Sequence, residues 1–124
     1  MKVKSIMNKV FITDPDITLK KAAKIMSDKD IGSLVLVKRK NVVGILTERD
    51  IIKNVSKINK KVSTVMTKDL VFTNVNEKIE NAAKIMANNK IKRILVMEKE
   101  KLVGIVTATD LVAHTDILNE DLIL

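Results

Sequence analysis

Two stretches of this chain carry residues whose types and spacing suggest chemistry. Gly44-Ile45-Leu46-Thr47-Glu48-Arg49-Asp50-Ile51 is echoed by Gly104-Ile105-Val106-Thr107-Ala108-Thr109-Asp110-Leu111. In each, an apolar run that reads as a strand gives way at a threonine to a short helical pattern. Backbone N–H groups are unpaired at such a junction, so it favours anions. A glycine beside it lets a ligand approach the main chain. An ionised Asp is acceptor-only, and two vicinal hydroxyls of a sugar can both donate to it. The same Thr-x-x-Asp spacing is also close to a capping box, in which Thr47 caps the helix and Asp50 reaches back. That bland alternative needs no glycine.

Other chemistry lacks its parts. The chain has no cysteine, which excludes disulfides, a thiolate nucleophile and Cys-based metal sites. One histidine, His114, leaves a His-based metal site or a Ser-His relay without partners. It reads as a surface or helix-end residue. Glu48 and Asp50 lie two apart on a helix and point in different directions, a poor acid/base pair. The expectation is a protein that is not an enzyme and requires no cofactor or metal.

The two stretches are parts of a longer repeat. Ala22-Ala23-Lys24-Ile25-Met26 recurs as Ala82-Ala83-Lys84-Ile85-Met86, an offset of 60. Twelve identities fall in the 41 gapless positions from Ile12 to Ile52, which reads as a tandem duplication. Upstream, Val3, Ser5 and Met7 align with Val62, Thr64 and Met66 at an offset of 59. Leu19, Ala22, Ala23 and Met26 share one helix face, as do Ile79, Ala82, Ala83 and Met86. Asp16 or Thr18, and Asn76, are available N-caps. Ser33–Val37 and Val42–Leu46 form a hairpin about Lys38–Asn41, and 93–106 repeats it about Glu98–Lys101. Brief strands near Phe11–Thr13 and Leu70–Thr73 open each unit, and short helices from Thr47 and Thr107 close it. The order is β-α-β-β-α, twice, an α+β chain. Domain boundaries are expected at 1–60 for the first repeat, with a linker at 54–61, and at 62–124 for the second.

With 124 residues, a core is possible without staples. That core must be aliphatic: Phe11 and Phe72 are the only aromatic residues. The chain therefore lacks the set of rings that a base-stacking platform needs. Net charge is +8, from 23 Lys and Arg against 15 Asp and Glu, which favours anionic partners. Only three of the cations are arginines, so DNA binding would be backbone-driven and weakly specific. The stretch from Asn54 to Lys68 is basic without an acid and reads as a linker packed on the domain. The last ten residues, 115–124, are apolar and acidic and read as a cap or docking tail. No signal or membrane segment is evident, so the expected location is cytoplasmic. The high Lys, Ile and Glu content without Cys is compatible with a thermophile.

The doubled β-α-β-β-α unit, each ending in Gly-h-h-Thr-x-x-Asp-h with h apolar, resembles a CBS domain pair, or Bateman module, over essentially the whole chain. The resemblance implies two repeats packed sheet to sheet about a pseudo-twofold axis, with two clefts. It implies a stand-alone sensor binding an adenosine compound (AMP, ADP, ATP or an S-adenosylmethionine-type molecule) as regulatory ligand. It further implies a disk-like homodimer or higher assembly, and an effector protein that reads the bound state. Asp50 and Asp110 would hold ribose hydroxyls, with Thr47 and Thr107 near ribose or phosphate. Gly44-Ile45 and Gly104-Ile105 would flank the ligand. Ile12, Thr13 and Asp14, and Phe72, Thr73 and Asn74, would wall the base. The start of the second strand of one repeat would reach the phosphate held at the other repeat's Asp. That start is Lys92-Arg93 in the second repeat and Gly32-Ser33 in the first. The Asp50 cleft is thus expected to prefer a charged phosphate. The Asp110 cleft would take a less anionic ligand or stay empty. Nucleic-acid binding, driven by the net charge, is the alternative function.

Overall fold

The computed structural model describes residues 1–114, and the acidic tail expected at 115–124 lies outside them. The described residues form two compact units. One is continuous, Val10–Leu70. The other is composite, joining Met1–Lys9 to the chain from Val71 onward.

In the continuous unit the elements are β1 (Ile12–Thr13), α1 (Leu19–Lys29), β2 (Ser33–Lys38), β3 (Asn41–Thr47) and α2 (Glu48–Lys53). The composite unit repeats them as β4 (Phe72–Asn74), α3 (Ile79–Asn89), β5 (Arg93–Glu98), β6 (Lys101–Thr107) and α4 (Ala108–His114). Each sheet has three strands, ordered β1-β2-β3 and β4-β5-β6, with the first pair parallel and the hairpin antiparallel. This is the doubled β-α-β-β-α order expected of the α+β repeat.

The helices form because their apolar residues share one face. Leu19, Ala22 and Met26 are buried on α1, and Ile79, Ala82 and Met86 on α3, while Ala23 and Ala83 are half-buried. They pack on Leu34, Leu36, Leu46 and Val62 in one unit, and on Val3, Ile94, Val96 and Val106 in the other. Burying each of the larger side chains contributes roughly 1.5–3 kcal/mol. Leu34, Val35 and Leu36 are consecutive and all buried, as are Ile94, Leu95 and Val96, so both faces of these strands are covered.

Local details depart from the sequence expectation in two places. The hairpin turns hold two residues, not four. Arg39-Lys40 and Lys99-Glu100 all have positive φ, between 50° and 67°, the backbone of a type I′ turn. Lys38 pairs with Asn41, and Glu98 with Lys101, so the strands run to the turn. A one-residue shift between Leu36 and Val37, repeated between Val96 and Met97, then offsets the register.

Capping is the second departure. Thr18 caps α1, accepting from the Lys21 amide at 3.1 Å. Asp16 instead pairs with Lys38. On α3 the N-cap position is Lys78, whose side chain makes no cap, and Asn76 does not serve either. The Ile79 amide donates to the Met1 carbonyl at 3.1 Å, as the Leu19 amide does to that of Lys60 at 2.8 Å, and the Asn81 amide turns to the Lys78 carbonyl at 3.1 Å.

The segment preceding each sheet is held in the same manner. Short 3-10 turns at Val3–Ser5 and Val62–Thr64 bury Val3 and Val62. Val3 donates to the Glu77 carbonyl at 2.8 Å and Val62 to that of Ile17 at 2.8 Å. The basic linker is therefore bonded to its unit.

Candidate functional site

The two Thr-x-x-Asp stretches fold into equivalent corners. In the continuous unit Thr47 ends β3 and caps α2. Its backbone N–H donates to Asp50 Oδ2 at 2.9 Å and its hydroxyl to the same oxygen at 3.1 Å. The Asp50 amide donates to Thr47 Oγ1 at 3.3 Å, which completes a capping box. The composite unit has the same arrangement. Asp110 Oδ2 accepts from the Thr107 amide and hydroxyl, each at 2.8 Å. The Asp110 amide donates to Thr107 Oγ1 at 3.1 Å. Both carboxylates thus fold their corners as well as presenting acceptors at the surface.

Each corner has a further donor that the motif does not contain. Thr67 Oγ1 donates to Asp50, 3.2 Å from Oδ1 and 3.3 Å from Oδ2. Asn8 Nδ2 donates to Asp110 Oδ2 at 2.6 Å. The amide orientation follows from chemistry, since an amide oxygen would repel the carboxylate. Asn8 and Ile105 exchange backbone hydrogen bonds of 2.8 and 3.0 Å, and Thr67 and Ile45 exchange two of 2.9 Å. Reading the sequence for sites missed this pair. The signal was present in the upstream alignment: Met7 matches Met66, so the next residues, Asn8 and Thr67, match too.

The glycines meet those same segments. A Cβ on Gly44 would lie 2.6 Å from Met66 Sδ, and one on Gly104 would lie 2.6 Å from Met7 Sδ. The space beside each glycine is filled by a methionine of its own unit. Neither glycine has positive φ, so close approach rather than backbone freedom accounts for them.

The strand starts lie against the corners of their own units. Ser33 stands opposite Thr47 and Arg93 opposite Thr107 across each hairpin. The Gly32 carbonyl accepts from the Glu48 amide at 3.2 Å, and the Lys92 carbonyl from the Ala108 amide at 2.8 Å. Within the composite unit, two cations therefore border the Asp110 corner, where the continuous unit has Gly32 and Ser33. The residues expected to wall a base lie at the other edge of each sheet. β1 and β4 flank β2 and β5 on the side away from β3 and β6, about two strand spacings or roughly 10 Å from the corner strand. Ile12 is 58% and Phe72 42% exposed, and Thr73 is buried. Asp14 and Asn74 each accept from the amide two residues on, at 2.7 and 2.9 Å.

His114 Nδ1 lies 2.9 Å from the Asp110 carbonyl, so it carries the proton and donates at the end of α4. Among the described residues there is no cluster of three or more His, Cys, Asp or Glu arranged to hold a metal. No helix among them is long and apolar enough to cross a membrane.

Two α+β units, each closed by Gly-h-h-Thr-x-x-Asp at the step from strand to helix, define a tandem-repeat module. A model of the CBS domain matches residues 3–57 and again 62–116, and the chain belongs to that family. An uncharacterized protein of Methanocaldococcus jannaschii is 35% identical over 106 residues. The match covers 85% of this chain but only 36% of that protein. A crystal structure of an uncharacterized conserved protein from Pyrococcus horikoshii superposes with a TM-score of 0.84 at 35% identity, covering 90% of this chain and 89% of the other. The CBS domain pair of protein MJ0100, crystallised with 5-methylthioadenosine and S-adenosyl-L-methionine, superposes with a TM-score of 0.84 at 28% identity. That match covers 91% of this chain and 94% of the other.

Proposed function

We propose that this chain is a regulatory module that binds adenosine compounds at Asp50 and Asp110 and performs no chemistry on them. The observation that carries the reading is the pair of equivalent surface carboxylates, each fixed in orientation by its own threonine. Among the described residues, Oδ1 of Asp110 accepts no hydrogen bond, leaving an acceptor for a ribose hydroxyl. The adenosyl ligands of the MJ0100 domain pair support the ligand class. Ile12 and Phe72 offer exposed apolar surface of the kind a purine covers. Gly44, Ile45, Gly104 and Ile105 would flank the ligand through their backbone, and Thr13, Asp14 and Asn74 would complete the walls.

Lys92 and Arg93 would take the phosphate of a nucleotide, and Gly32 and Ser33 would not. The bound state acts by favouring one arrangement of the protein, which a partner chain reads in the cytoplasm. A homodimer is the assembly we favour, because Ile52 and Val55 leave apolar side chains 74% and 66% exposed on and just beyond α2. The test is a thermal-shift panel of AMP, ADP, ATP, adenosine, 5-methylthioadenosine and S-adenosylmethionine. At least one should raise the melting temperature, and D50A or D110A should remove the effect. A flat panel would sink the reading.

A further inference from the structure

Asn8 and Thr67 occupy equivalent places in the two units. Each follows the methionine that fills the notch beside a glycine, and each is clipped by paired backbone hydrogen bonds to the strand that ends in the corner. Each side chain is exposed and donates to the corner carboxylate. The capping box is complete without that donor, since Thr47 and Thr107 supply the box contacts themselves. Helix capping therefore does not explain Asn8 or Thr67.

The two donors differ in grip. The Asn8 amide makes one short bond of 2.6 Å to Asp110 Oδ2, which already accepts twice from Thr107. The Thr67 hydroxyl is shared between both oxygens of Asp50 at 3.2 and 3.3 Å. Short hydrogen bonds to a charged acceptor are the stronger ones. A carboxylate oxygen offers about two lone-pair directions, so three donors oversubscribe Asp50 Oδ2, and three likewise oversubscribe Asp110 Oδ2. A vicinal diol that uses both oxygens of either carboxylate must displace one donor, and the exposed Thr67 or Asn8 side chain is the one free to leave.

We propose that Asn8 and Thr67 set the affinity of their two carboxylates for a vicinal diol, each acting as a built-in competitor that the ligand displaces. The proposal rests on reading Asp50 and Asp110 as diol acceptors. The Asp110 corner is the more strongly held, because its competitor is the shorter-bonded amide. Asn8 and Thr67 are affinity-determining residues rather than ligand-holding ones: their removal tightens binding. The competition is sharpest for a full diol. A 2′-deoxy compound needs one carboxylate oxygen and gains less when the competitor goes.

The test is a titration of the ¹⁵N-labelled full chain with adenosine, followed by NMR. The Thr47 and Thr107 amides each donate to one carboxylate, so they report the two corners separately. N8A or N8T should lower the adenosine concentration that half-shifts Thr107 by about tenfold and leave Thr47 in place. T67N should raise the half-point at Thr47 by a similar factor. The gain in N8A should be smaller with 2′-deoxyadenosine. Both substituted side chains are exposed, so the fold is retained, and the Asn8 side-chain NH₂ signals of the unmutated chain should move on adenosine addition. If D110A removes the Thr107 response while N8A and N8T leave the half-point unchanged or raise it, the competitor idea is wrong and the diol reading stands. If neither amide responds to adenosine in any form, both fall together.

Discussion

The sulfur of Met66 lies 2.6 Å from the place a Cβ on Gly44 would occupy, and Met7 stands in the same relation to Gly104. The two notches differ in one respect. At Gly44 the third neighbour is the backbone oxygen of Thr67 at 3.0 Å, whereas at Gly104 all three are atoms of the Met7 side chain. A flexible thioether moves aside more cheaply than a carbonyl fixed in a hydrogen bond. Gly44→Ala should therefore cost about 1–3 kcal/mol and Gly104→Ala less. Urea unfolding of the two variants measures this. Adding Met66→Ala to Gly44→Ala should recover part of the loss, and strict additivity would contradict the contact.

Both hairpins turn through residues that resist the required backbone. Arg39 and Lys40 have φ of 51° and 67°, where a Cβ is unwelcome. Replacing Arg39-Lys40 by Asn-Gly should stabilise the chain by about 1 kcal/mol, with no change in ligand response. The matching change at Lys99-Glu100 should do the same, and denaturant midpoints decide both.

A third prediction concerns pH. The Lys38 ammonium donates to the Asp16 carboxylate and holds it below its ordinary titration range, with Lys61 adding a smaller push. A carboxylate with depressed pKa stabilises the fold at pH values above its unfolded pKa, near 4. That contribution is lost as pH falls through the lower, folded value. Asp16→Asn should therefore lower the melting temperature slightly at neutral pH and leave it unchanged in strong acid. Salt should shrink the difference, since both groups are exposed. An effect that persists in strong acid would assign it to something other than charge.

The cations at the start of β5 make a fourth. If they serve a phosphate, Arg93→Ala should weaken AMP about tenfold or more and leave adenosine nearly unchanged. Isothermal titration with both compounds separates the two effects. Equal losses would point to a structural role for Arg93.

Much of this architecture was legible in the chain. The Ala-Ala helices, the unbroken aliphatic hairpins and the 60-residue offset are written in residue type and spacing, and each element formed where its pattern lies. The two-residue length of the turns is not legible in the sequence, because Arg39-Lys40 and Lys99-Glu100 stand where Asn-Gly normally marks such a loop. The N-cap of α3 is not Asn76, because the position equivalent to Thr18 is Lys78, whose side chain cannot accept, and the Asn81 amide uses the Lys78 carbonyl instead. The role of Thr47 and Asp50 in a capping box was readable from spacing alone, and the box is there. The match of Asn8 to Thr67 was readable, but the contact of Asn8 with Asp110 was not, because the two lie 102 residues apart and meet only through strand pairing.

The composite unit takes its first nine residues from the opposite end of the chain, across the whole of its neighbour. During synthesis the continuous unit has every segment it needs once Leu70 has left the ribosome. The residues around Val3 must wait, unsheltered, until β5 and β6 arrive. The order of emergence thus lets one unit fold early and leaves the other to form late. Replacing Val3 by a polar residue should slow completion of the composite unit while sparing the continuous one.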